Sequence, residues 1–332
     1  MMGSGITAIY RKGAVTMHSI DTKRQGLSTA VSFAFVILTV FLFLWGGSVA
    51  AGTGQRNFST PEEAVAALVE AVRMNDTKQL LATFGAAGRD LVVSGDETMD
   101  REARDRFLRA YEEKNRLQNV SDRKAVLHVG KDDWPMAIPI VKTGRKWHFD
   151  TQEGRQEILA RRIGRNELAA IQVCLAYVDA QREYAQRQGN SVLEYAQRFA
   201  SDPGKNNGLC WDAGEKENPV SPMGPLVARA CQTGFTPGHR GEAAPYHGYF
   251  YRILAAQGKD APGGAYDYIV NGRMIGGFGL VAYPARYRST GVMTFIVNHD
   301  GIVYQKNLGK NTVKIAETMS VFNPDPTWKK VE

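Results

Sequence analysis

"AYDYIVNGRMIGGFGLVAYPARY", residues 265–287, decides the fold, because two incompatible architectures can be read from it. Gly277 to Ala282, "GFGLVA", fits the G-x-G-x-x-A pattern of a dinucleotide-binding turn. That turn needs a parallel strand before the glycines and a helix after them, so that phosphate meets a helix N-terminus. The flanks offer neither: the segment continues as "LVAYPARY" with Pro284 close behind, and Asn271-Gly272 upstream is a hairpin signal. The reading is therefore antiparallel strands and no cofactor, with glycines marking a bulge or a close backbone approach.

Working outward, "GYFYRILAAQ" (248–257) and "GVMTFIVNHDGIVYQKNLG" (291–309) are rich in aromatic and β-branched residues. With the opening stretch they predict an antiparallel sheet of roughly four or five strands. Asn298, His299, Asp300 and Gly301 fall between "TFIV" and "IVYQ" and read as a hairpin turn, with Gly301 taking positive φ. An exposed turn of that kind lacks the desolvation that tunes a catalytic pair. Alternation puts Tyr249 with Tyr251 on one face and Tyr266 with Tyr268 on one face, with one ladder free to line a groove.

Upstream of this sheet, residues 201–247 are dense in Gly, Pro and Asn and predict a long irregular loop. Residues 156 to about 200 predict a long helix with a stripe of Leu168, Ile171, Leu175 and Val178; Arg161, Arg162 and Arg165 form a solvated face near its start. Residues 58–155 form a smaller unit. Thr60, Pro61 and Glu63 make a capping box ahead of a helix whose face is Ala64, Leu68 and Val72. A short helix follows Asp76, and a third follows Asp100, over "REARDRFLRAYEEKNRL" as far as Leu117, with Ala103, Phe107 and Tyr111 on one side. "RKAVLHVG", "PMAIPIV" and "KWHFDT" then predict strands, the last two joined through Thr143 and Gly144. The fold class is α+β: a helix-plus-curved-antiparallel-sheet unit over 58–155, then over 156–332 a long helix, an irregular loop and an antiparallel sheet.

The amino terminus has a different character. Residues 27–45 are uninterrupted and uncharged, preceded by Lys23 and Arg24 and followed by small residues including Ser48, Ala50 and Ala51. Residues 1–51 thus read as an export signal, cleaved after an alanine or retained as an anchor. Arg11, Lys12, Lys23 and Arg24 against Asp21 supply +3 of the formal +7, leaving +4 for the rest of the chain. That excess is too small for the clustered basic face of a nucleic-acid binder.

Cys174, Cys210 and Cys231 would sit in an oxidising compartment, where Cys210 and Cys231 can pair across the loop and Cys174 is a buried small hydrophobe. No spacing matches a metal site, a nucleophile elbow or a phosphate loop. A scattered catalytic set drawn from His239, His247, His299, Asp267 and Asp300 stays open, with His239 and His247 favoured by their place in or beside the loop and Asp267 as an acid.

The strings "TPEEAVAALVEAV", "DDWPMAIPIVKTGRKWHFDT", "APGGAYDYIVNGRMIGGFGLVAYPARY" and "GVMTFIVNHDGIVYQKNLG" together resemble the bacterial exported family of proteins of unknown function 2950, from about Phe58 to the carboxyl terminus. The resemblance implies a periplasmic or secreted protein, and no catalytic residue comes with it. The first unit is also similar to the cone-shaped nuclear-transport-factor-two and cystatin folds, and the second to the globular part of pilins. Three functions are therefore expected: a non-enzymatic module binding an unknown envelope ligand or protein, an envelope hydrolase using loop histidines, or an atypical pilus component. Contact with membrane is expected only through residues 1–51, should they be retained.

Overall fold

The first helix, α1 (Pro61–Arg73), begins where its sequence signals place it. Thr60 accepts a hydrogen bond from the Glu63 amide, and the Glu63 carboxylate accepts one from the Ser59 amide, one residue earlier than in the usual reciprocal box. In this computed structural model residues 54–187, 192–202, 204–210 and 245–332 are described, and Ala51–Glu332 forms one compact unit. The expected export segment, His239, Cys231 and most of the Gly/Pro-rich loop lie outside the described residues.

After α1 come α2 (Thr77–Phe84), capped by Asp76, then α3 (Arg89–Val92) and α4 (Glu97–Glu113). A sheet follows, formed by β1 (Asn115–Ser121), β2 (Lys124–Val129), β3 (Trp134–Pro135), β4 (Ile140–Thr143) and β5 (Lys146–Phe149). Its order is β1-β2-β4-β5 with β3 also on β2, and every pairing is antiparallel. One departure from the sequence reading is β1. The third helix stops at Glu113 instead of running through Leu117, and "NRLQNVS" pairs with β2 although Leu117 is its one partly buried residue. The core here gathers α1, α2 and the inner face of the sheet, with Leu68, Phe84, Leu127, Ile140 and Phe149 buried.

Helix α5 (Thr151–Arg187) is 37 residues long and starts inside the segment expected to end a strand. Its first turn is fixed to the first core: the Thr151 hydroxyl donates to the Phe84 carbonyl at 2.7 Å, and Gly154 lies so close to Ile138 that a Cβ would come within 2.6 Å of it. The buried stripe of its second half is Ala170, Val173, Cys174, Tyr177, Val178, Gln181 and Tyr184. The expected stripe is thus only partly in phase: Leu168 and Leu175 are 59% and 38% exposed, whereas Val178 is buried and Ile171 packs partly buried against the core.

That stripe packs on a five-stranded sheet of order β15-β13-β12-β11-β6. Its strands are β6 (Tyr249–Leu254), β11 (Gly279–Pro284), β12 (Thr294–Asn298), β13 (Tyr304–Lys306) and β15 (Lys329–Lys330), all antiparallel. Leu280, Ala282, Phe295 and Val297 face the helix, while Val281, Tyr283 and Ile296 face a third cluster with α6 (Thr312–Thr318) and Phe322. Both faces are covered, which is why β11 and β12 read as continuous apolar runs. Tyr249 and Tyr251 lie in this interior, so the expected groove-lining ladder is core; Tyr268 is buried as well, leaving Tyr266 at 38% exposure.

Short pieces complete the fold. Strand β7 (Ala256–Gln257) pairs antiparallel with β8 (Tyr266–Asp267) and parallel with β14 (Val321–Phe322), an exception to the all-antiparallel expectation. Strands β9 (Ile269–Val270) and β10 (Arg273–Met274) form a hairpin through Asn271 and Gly272, at φ 50° and 76°, as a two-residue turn with both central residues left-handed requires.

Candidate functional site

A concave feature beside the first core lies under α4. Among its 17 residues none is buried; Phe107, Leu108 and Tyr111 rest half-covered on the core. An amphipathic helix normally seats its apolar stripe fully. Here the stripe instead roofs an apolar cavity of about 170 Å³, lined by Leu68, Val72, Phe84, Leu91, Phe107 and Met136 among others. A second, polar cavity of about 520 Å³ adjoins it, walled by Asn75, Thr77, Glu97, Thr98 and Arg101. Asp100 and Arg104 line both and mark the junction.

Those two charges are held differently. Asp100 accepts the Ser94 amide on both carboxylate oxygens, at 3.1 and 3.2 Å. Arg104 donates to the Asn75 side-chain oxygen, to the Thr77 hydroxyl at 3.1 Å and to the Val92 carbonyl at 3.2 Å. All three acceptors are neutral, so the guanidinium is positioned but not charge-paired within the described residues.

The second polar cluster surrounds the turn quoted earlier in the final sheet. Gly301, at φ 79°, donates its amide to the Asn298 carbonyl at 2.9 Å and closes the turn between β12 and β13. The turn is not solvated as a bare hairpin tip would be. Asn298 is buried, and its amide group donates to Asp300 at 3.2 Å and to the Gln257 oxygen at 3.5 Å. That same oxygen accepts the Tyr268 hydroxyl at 3.0 Å, while the Gln257 nitrogen donates to the Pro262 and Gly264 carbonyls. The network ties the loop after β7 to the turn. Burial pushes the Tyr268 phenol well above its ordinary range, with Asp300 adding to the effect; it is a donor here and not a base.

His299 sits beside this network against Tyr268 and Phe278, with ring centroids 5.8 and 6.1 Å away. Its Nε2 lies 3.3 Å from the Tyr266 hydroxyl and 3.9 Å from the Asp300 carboxylate, and its Nδ1 is buried without a hydrogen-bond partner among the described residues. The tautomer that suits these neighbours carries the proton on Nε2, leaving a lone pair on the enclosed nitrogen. Among the described residues no serine, threonine or cysteine is bonded to the ring, whose side-chain contact is with Tyr266. Gly277 explains the fit: at φ 141°, a Cβ on it would come within 2.7 Å of His299 Nδ1 and 3.1 Å of Tyr268. The glycines of "GFGLVA" therefore make room for a tyrosine and a histidine, a close approach of the kind expected.

The remaining sequence candidates do not converge within the described residues. His247 is exposed in the turn before β6, at φ 47°, with its ring against Tyr246. Asp267 is exposed on β8 opposite Ala256. The six residues of β6, about 20 Å of extended chain, separate the two. Cys174 is a free, fully buried thiol whose ionisation burial pushes up, whereas Cys210 is held in a disulfide. Arg161 bonds Glu157 and the Pro135 carbonyl and stacks over Trp134, while Arg162 and Arg165 are exposed. No group of three or more metal-binding side chains occurs among the described residues, and none of their helices is long and apolar enough to cross a membrane. The cleft under α4 was missed by sequence reasoning; its signal was the Ala103, Phe107, Tyr111 face, which reads equally well as core.

Comparison with known proteins places these features in a family without adding an activity. No curated protein matches the chain and no solved structure matches it, so the likeness to the pilin fold is not confirmed. A family model described as "protein of unknown function (DUF2950)" matches residues 55–331, which is nearly all of the described structure. The chain belongs to that family.

Proposed function

We propose that this protein is an exported, non-enzymatic binding module of the bacterial envelope, with the cleft under α4 as its binding site. The observation that carries the reading is an apolar cavity and a polar one that share Asp100 and Arg104 in their linings, beneath a helix with no buried residue. Small-molecule sites are concave and mostly apolar, with few polar groups that fix orientation. Export rests on residues 27–45 and the small residues after them.

Benzene tests the cavity, because an engineered apolar cavity of about 150 Å³ stays dry and takes up benzene. The protein should show a benzene-dependent rise in melting temperature, and Ala103→Phe, which grows a ring into the cavity wall, should abolish that rise. A melting temperature indifferent to benzene overturns the assignment of the cleft. Residues 1–51 fused to a reporter that works only outside the cytoplasm should give signal; a silent fusion overturns export.

A further inference from the structure

We infer that the cleft takes a small monocarboxylate bearing one aromatic ring or a short alkyl chain, with its apolar end in the inner cavity and its carboxylate on Arg104. The inference rests on the binding reading above and names the chemical class that reading leaves open. Size sets the apolar part. About 170 Å³ is close to the volume that holds a single benzene ring, so the inner cavity by itself seats one ring or a short alkyl chain.

Charge sets the head group. Of the two ionic residues common to both cavities, Asp100 is committed to the Ser94 amide, whereas Arg104 has only neutral partners among the described residues. Those three bonds use three of the five N–H donors of a guanidinium, so donors are left for one more acceptor. A carboxylate would convert a held but unpaired cation into a charge-assisted pair, the stronger kind of hydrogen bond. Arg101, on the wall of the outer cavity, adds to the attraction. A phosphate dianion suits the mouth less well, because Glu97 and Asp100 line it too and would repel the second charge.

Calorimetry on the full chain with phenylacetate, 2-phenylethanol, phenyl phosphate and benzene tests this. Phenylacetate should bind about tenfold or more tighter than 2-phenylethanol, the factor expected of one charged hydrogen bond. Arg104→Gln should remove that preference while benzene binding persists, which shows that the cavity is still formed. If Arg104→Gln does not fold, Arg101→Gln and added salt provide the second reading: each should narrow the gap between acid and alcohol. Equal affinity for acid and alcohol with benzene still bound overturns the carboxylate class and leaves the binding reading standing. Tighter binding of phenyl phosphate overturns it in favour of a dianion. Failure of all four compounds overturns both.

Discussion

Replacing Gly277 with Ala tests how tightly the last sheet is assembled around His299. The backbone stands at φ 141°, where an L side chain is strained; such a conformation costs about 1–3 kcal/mol. The new methyl would also lie 2.7 Å from His299 Nδ1 and 3.1 Å from Tyr268 Cδ1, both ring atoms in a packed site. Pushing packed groups aside costs about another 1–3 kcal/mol. Gly277→Ala should therefore lose about 3–4 kcal/mol in equilibrium urea unfolding. Gly264 is the control, with φ 79° and nothing within 4 Å of the point where a methyl would stand; Gly264→Ala should cost about 1–2 kcal/mol, the left-handed penalty alone. His299→Ala removes one partner of the clash, so the double variant should be less damaged than the two singles predict, by about 1 kcal/mol or more. Strict additivity, or a Gly277→Ala cost within about 0.5 kcal/mol of the control, the ordinary scatter for independent sites, refutes the close-approach argument.

Gln181 is buried, donates to the Tyr177 hydroxyl and the Ala196 carbonyl, and accepts the Ala196 amide at 2.8 Å. Gln181→Leu strands the Ala196 amide and carbonyl, while the Tyr177 hydroxyl still donates to the Gly279 carbonyl, and should cost about 3 kcal/mol in the same unfolding assay, since each orphaned buried group costs about 1–3 kcal/mol. Leu168→Gln and Leu175→Gln on the exposed side of α5 should stay within about 0.5 kcal/mol of the parent, whereas Val173→Ala, in the buried stripe, should be clearly destabilising. The native protein should leave Cys174 unmodified by a thiol reagent at mildly alkaline pH, because burial disfavours its thiolate. Peptide mapping without reduction should recover Cys210 joined to Cys231. Asp133 is held below the usual carboxylate range, chiefly by its hydrogen bond from Arg116. Its contribution is present above the unfolded carboxylate pKa and is lost as pH falls through the depressed folded value, so Asp133→Asn should flatten the acid limb of a stability profile.

Legibility in the sequence followed burial. Strands β11 and β12 are covered on both faces and announced themselves as apolar runs, and α1 announced itself through Thr60, Pro61 and Glu63. Strand β1 gave no alternation because almost all of it faces solvent. The phase of α5 was misread because large leucines outweighed the true stripe, in which alanines and the hydrogen-bonded Gln181 sit among the bulkier residues. The cleft draws on α1, α2, α3, α4 and the chain near β3, so no linear pattern describes it. Arg104 lies in a helix crowded with charge, "DREARDRFLRAYEE", where one arginine with neutral partners looks like any other. The Asn298 turn was legible as a turn; its burial depended on Gln257 and Tyr268, distant in sequence and brought in by strand pairing.

Helix α5 touches the first core at Thr151 and Gly154 and the second from Ala170 onward, with no buried residue between. At 3.6 residues per turn those two contact faces point about a third of a turn apart. The stretch between them thus acts as a phase spacer: Arg161, Asn166 and Glu167 tie it to backbone groups of neighbouring segments, and its residue count sets the angle between the two faces. A single deletion near Gly164 would rotate the downstream stripe by about 100° and aim Leu168-type positions at the sheet, although it removes no buried side chain. In this chain, spacing along an exposed helix carries as much structural information as the identity of a buried side chain.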